Sequence, residues 1–258
     1  MNQVSPGQQQ PWHVRPALPT RPPPPDDPLF PPAEQALARQ IQEQRADDPM
    51  VGAKIGANLF YEQLVKVLQG DPNGVRAELL LGVPALLAGF ACQAATWESL
   101  VMTGGYPAEA VFMVMETADS KQYPFSDPMN HLLLEDRYSV WGLTSAATQA
   151  KTDQPLPDIT DLVEHVARSI GTSSFGQPRL PPPLTLAEDP LGILRAGWNR
   201  YLPLLGLCCA MPEEWPVVFA IAIQRAIEQV RQLIEPTTAC AVVMECAVPM
   251  AHLPMELV

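Results

Sequence analysis

Residues 79–97 read LLLGVPALLAGFACQAATW, a run without a single charge. As a helix it approaches the roughly 20 apolar residues that cross a bilayer. Gly82, Pro84, Gly89, Gln93 and Thr96 dilute its hydrophobicity, however. Comparable uncharged runs recur at 138–150 and 202–212, where they are too short to span. Buried core helices account for all three, so 79–97 is read as a buried core helix rather than a membrane span. The competing reading is a membrane-associated protein anchored through 79–97.

Working outward, an acid–proline dipeptide recurs: Asp48-Pro49, Asp71-Pro72, Asp127-Pro128, Asp189-Pro190 and Glu235-Pro236. Aspartate is a favoured helix N-cap, and proline suits the first helical position, where its missing N–H has no partner to lose. Each pair precedes an apolar, helix-compatible run. The pairs predict helices over about 49–69, 72–102, 128–135, 190–210 and 236–248. Glu235 is the weakest cap, because glutamate caps poorly. Ala33 to Arg45 carries Leu37 and Ile41 one turn apart among polar residues, which predicts an amphipathic helix. Pro107 opens a helix over 107–118, Ser139 caps 140–151, and Asp158 caps 159–170, closed by Gly171. Pro212, Glu213 and Glu214 start a helix over 213–234, their charge complementing its dipole.

Strand signals are thin. Val111 to Phe125 suggests one hairpin turning at Ala118-Asp119-Ser120-Lys121. Residues 171–189 hold Gly176, Pro178, Pro181, Pro182 and Pro183, a stiff loop that separates lobes 34–171 and 189–258. Residues 1–33 hold eleven prolines and the run Gln8 to Gln10. Proline fixes φ and removes a donor, so this tail is expected to be disordered and extended. Pro19, Pro22 and Pro25 give P-x-x-P spacing beside Arg21, but such spacing arises easily by chance in a proline-rich segment, and a plain linker or solubilising tail is the better reading. The expected fold is therefore mostly α, an irregular multi-helix globular bundle with a disordered Pro-rich N-terminal tail and one small β-hairpin. The domains are 1–33 and 34–258.

Charge narrows the function. Among 258 residues the net charge is −12, and charged residues make up 17%, against about 25% in a typical soluble domain. Arg15 and Arg21 balance Asp26 and Asp27, so the whole charge belongs to 34–258. Nucleic acid is a polyanion that demands clustered Lys and Arg; here the four lysines and twelve arginines are scattered. Nucleic acid and anionic membranes are thus disfavoured, and a protein partner, basic in character, is favoured. The five cysteines fall in apolar runs without regular spacing, which reads as reduced core thiols. With no secretory signal at the start, the expected location is cytoplasmic.

Catalytic motifs are missing: no G-x-S-x-G, phosphate loop, G-x-G-x-x-G or H-E-x-x-H. No cofactor is expected. On a helix, Asp158, Asp161 and His165 share a face with the spacing of a metal site; a solvated face with Arg168 paired to Glu164 explains them more simply. Asp127, His131 and Glu135 line a stripe of helix 128–135, with Asp136 and Arg137 following. Asp119, Tyr123 and Phe125 lie on the polar loop before it, where an aromatic can anchor a partner or tuck inward. Asp119, Tyr123, Phe125, Asp127, His131, Glu135, Asp136 and Arg137 form the candidate partner-binding set.

These features favour a non-enzymatic protein-interaction module: an adaptor, a dedicated chaperone or a neutraliser of a protein partner. The alternative is a helical-bundle enzyme, such as a metal-dependent hydrolase whose carboxylates converge from several helices.

Overall fold

The computed structural model describes residues 31–70, 74–186 and 189–254. The fold is mostly helical with one two-stranded antiparallel sheet. In chain order come α1 (Pro32–Gln44), α2 (Val51–Gln69), α3 (Ala77–Thr96), α4 (Ala108–Val111), β1 (Met113–Glu116) and β2 (Gln122–Phe125). Then follow α5 (Asp127–Asn130), α6 (Val140–Gln149), α7 (Ile159–Ser169), α8 (Pro190–Cys208), α9 (Glu214–Val230) and α10 (Pro236–Ala251). Trp97–Thr103 and His131–Glu135 continue α3 and α5 as π-helical turns.

Local chemistry sets most of these boundaries. Asp158 accepts from the Thr160 and Asp161 amides, Asp189 from those of Leu191 and Gly192, and Ser139 from that of Gly142. Glu235 also caps its helix, accepting from the Thr238 amide at 3.0 Å. Two caps fall elsewhere than expected. Asp48 accepts from the Met50 amide at 3.1 Å in the preceding turn, so α2 starts at Val51. Asp127 lies inside α5, whose N-cap is Ser126, without a side-chain cap bond. Asp71-Pro72 lies outside the described residues. The helix at Pro107 stops at Val111, because the chain turns extended at Phe112 to enter β1.

α3 is the central element. All its residues from Leu79 to Thr96 are buried except Val83, against α8, α9 and α10. Ala77–Thr103 is long and apolar enough to cross a membrane by length and composition, and its apolar window is wholly buried inside the bundle. Burial by neighbouring helices is the environment of a core helix. Phe60 packs edge-on against Tyr201 and Phe219, with ring centroids 4.6 and 5.0 Å away, tying α2 to α8 and α9. Each fully buried Leu or Phe contributes roughly 1.5–3 kcal/mol.

α2 and α3, from before the Pro-rich loop, pack on α8, α9 and α10, from after it, in one core. The loop is itself pinned. The Arg179 backbone amide and Nε donate to the two Glu245 oxygens at 3.0 and 2.8 Å, and Nη1 reaches Asp161 at 3.1 Å. The expected tail lies outside the described residues up to residue 30, and α1 begins two residues later.

Candidate functional site

The hairpin is built on a three-residue loop. Thr117 O accepts from the Ser120 amide at 2.8 Å, Ser120 takes a left-handed φ of 61°, and the Thr117 amide donates to Lys121 O at 3.0 Å. That is a turn with a bulge, a common hairpin connection. Asp119 accepts from Thr117 Oγ1 at 2.6 Å and pairs with Lys121 at 2.7 Å. The Lys121 ammonium, followed by the Thr117 hydroxyl, holds the Asp119 carboxyl down at about 2.

Strand β2 is locked from several sides. Tyr123 is only 4% exposed and meets the Phe175 ring edge-on at 5.0 Å. Phe125 stacks on His252 at 4.7 Å, and His252 Nδ1 lies 3.0 Å from Pro124 O. Behind the turn, a Cβ on Gly171 would stand 2.7 Å from Thr117 Cγ2, and its φ of +76° already favours glycine. The rings of Tyr123 and Phe125 thus hold the hairpin to the body, the inward of the two placements open to them.

β1 is left on the outside. It is tethered at its start by Phe112, buried and stacked on Trp97 at 6.0 Å. Beyond that point all four residues are exposed, Met113 at 71%, Val114 at 37% and Met115 at 45%. The register pairs Met113 with Phe125, Val114 with Pro124, Met115 with Tyr123 and Glu116 with Gln122. The Thr117–Lys121 bond sets the phase of the ladder. In an antiparallel pair alternate residues face the partner strand, so residues 113, 115 and 117 bond inward. Val114 and Glu116 direct their N–H and C=O away from β2, along an edge that pairs with no other strand among the described residues. On the opposite edge, on β2, Pro124 has no N–H, and its carbonyl is taken by His252.

The other expected residues form a separate, solvent-exposed group. His131 Nδ1 lies 3.8 Å from Glu135 and Nε2 lies 3.4 Å from Asp136. Asp136 comes closer because the π-helical turn places residue i+5, rather than i+4, beside residue i; the Asp136 amide accordingly donates to His131 O at 2.9 Å. The expected pairing of His131 with Glu135 is present, and Asp136 joins it on the other side of the imidazole. Asp136 also accepts from the Tyr138 amide at 2.6 Å, and the Arg137 guanidinium lies over the Tyr138 ring.

Asp158 is occupied as the α7 cap and Asp161 pairs with Arg179, while Arg168 lies 3.8 Å from Glu164. Among the described residues, no three His, Cys, Asp or Glu side chains are grouped to hold an ion. A groove of about 440 Å³ between α2, α3 and α8 is lined by residues including Leu64, Leu79, Val83 and Ile193, with Arg200 and Tyr201 as its polar groups. No family model matches the chain, and no curated protein or solved structure matches it either.

Sequence reasoning missed Met113, Val114, Met115 and Glu116. An apolar strand reads as core. The available signal was Pro124, which marks β2 as an edge strand whose outward side lacks a donor.

Proposed function

We propose that this chain is a protein-interaction module that engages its partner through the free edge of β1. The observation that carries this is the exposure of Met113, Val114 and Met115 on a strand whose outward backbone groups are unpaired by β2. Edge strands are usually blunted by proline, lysine or a covering element. β2 has such a device in Pro124; β1 contains neither proline nor lysine. An open edge of this kind takes up an extended segment by backbone hydrogen bonding, with side-chain contacts supplying selectivity. The exposed Met102 and Tyr106, on the segment before α4, add apolar surface ahead of the strand. An adaptor, a dedicated chaperone and a neutraliser of a partner protein all fit this mode, in a cytoplasmic setting.

The test is recovery of partners on the tagged full-length chain, compared with Val114→Pro. Position 114 bonds nothing on β2, so proline there removes an outward donor and leaves the ladder intact. Partners lost with the variant support the reading; an identical set on both proteins, or none on either, opposes it.

A further inference from the structure

We infer that the occupant of the β1 edge is an extended segment of another protein, laid antiparallel, with a Lys or Arg opposite Glu116 and apolar residues opposite Val114, Met115 and Met113. The inference rests on the edge reading above and adds the chemistry of the ligand.

The backbone selects a strand. Val114 and Glu116 each present an N–H and a C=O two residues apart, the spacing that an antiparallel strand satisfies with paired bonds. Val114 and Glu116 then form the hydrogen-bonded pairs with the incoming strand, and Met113 and Met115 the closer non-bonded pairs. The residue opposite Met115 faces a polarisable thioether, which favours an aromatic side chain. Because all four residues of β1 are exposed, the incoming strand meets side chains on both faces of the sheet.

Charge selects the basic residue. Glu116 is the only charge on β1. The neighbouring Asp119 is already matched by Lys121 at 2.7 Å. The chain as a whole carries −12, so a cationic segment is steered toward it and an anionic one is repelled. A second copy fits poorly. Two-fold antiparallel pairing about Met115 sets Glu116 against Val114 without a counter-charge, and it joins two bodies of the same strongly negative sign. Four-residue strands also supply little of the ~800 Å² per partner that a stable interface buries.

The experiment titrates the full-length, ¹⁵N-labelled protein with the blocked peptide Gly-Thr-Lys-Phe-Val-Ile-Thr-Gly and with the same peptide carrying Glu in place of Lys. Amide shifts at residues 113–117 report binding. The expected result is saturable binding of the Lys peptide, up to about fivefold tighter than the Glu peptide. Glu116→Lys, an exposed change that leaves the fold alone, reverses the preference. Val114→Pro abolishes binding while the Tyr123 and Phe125 resonances keep their positions.

Failure of the Lys peptide to move the β1 amides at millimolar concentration overturns the inference, as does undiminished binding to Val114→Pro. Equal binding of both peptides, still lost in Val114→Pro, overturns the charge selection and leaves the interaction reading standing. A sedimenting dimer that Val114→Pro converts to monomer identifies the occupant as a second copy and overturns the inference in that direction.

Discussion

The imidazole of His252 lies against Phe125 with its Nδ1 3.0 Å from the carbonyl oxygen of Pro124. A carbonyl only accepts, so Nδ1 carries the proton and donates it. This bond joins the end of α10 to β2 and occupies the outward carbonyl of Pro124 on that edge of the sheet.

Burial lowers the His252 pKa from its usual 6.5, against a smaller raising effect of the Pro124 bond. The native state therefore holds this ring neutral where the unfolded chain protonates it. The associated stability is complete above pH 6.5 and is lost as pH falls from there toward the depressed native value. Within that window the slope approaches about 1.4 kcal/mol per pH unit. Urea denaturation between pH 7.5 and 5 measures it. His252→Gln is expected to flatten the slope; an unchanged slope in the variant refutes the assignment.

Gly89 separates α3 from α10 by so little that a Cβ there would stand 1.9 Å from Ala247 O. Backbone cannot yield as a side-chain tip can, so Gly89→Ala is expected to cost about 3 kcal/mol or more. Gly192, in the first turn of α8, meets nothing closer than Asp189 Oδ2 at 3.6 Å. There Gly192→Ala gains helix propensity, stabilising by roughly 0.5 kcal/mol. Opposite signs in denaturant midpoints check the pair of changes together.

Cys92, Cys208, Cys209, Cys240 and Cys246 are all buried. Burial pushes Cys208 up to about 12 and Cys240 up to about 11, and raises the other three as well. Thiolate is the reactive species, so the native protein at pH 8 should release almost no thionitrobenzoate from Ellman's reagent over minutes. In guanidinium all five cysteines should react. A fast native thiol would locate an opening in the core at that residue.

What could be read from sequence was what is local. Asp158, Asp189, Ser139 and Glu235 cap amides two or three residues away, and the hairpin turn at 118–121 is likewise its own neighbourhood. The uncharged run at 79–97 announced the central helix because burial on every side requires apolarity on every side. What could not be read was pairing at a distance. Tyr123 meets Phe175, and Arg179 meets Glu245 66 positions on. Neither contact leaves a mark in its own segment that names its distant partner. The candidate edge was hidden for a related reason: apolar side chains on a strand do not reveal whether a second layer covers them.

Another such pairing ties the residue after α1 to the start of α9. Arg45 Nη1 lies 2.7 Å from Glu214 Oε1, while Arg45 Nη2 donates to Cys208 O at 3.2 Å. The second Glu214 oxygen accepts from the Ala210 amide at 3.1 Å. Glu214 is buried with its side chain 7% exposed, whereas the Arg45 side chain is 24% exposed. Removing the arginine strands a nearly buried carboxylate, which in a fully buried pair costs about 3–5 kcal/mol. Partial exposure of Arg45 and the surviving Ala210 bond reduce this, so Arg45→Met is expected to cost about 2 kcal/mol. Replacing Glu214 by Met in the same chain removes the stranded charge as well, and the double variant should be more stable than Arg45→Met alone. Additive losses in this cycle, read from denaturant midpoints, would show that the two side chains do not stabilise each other.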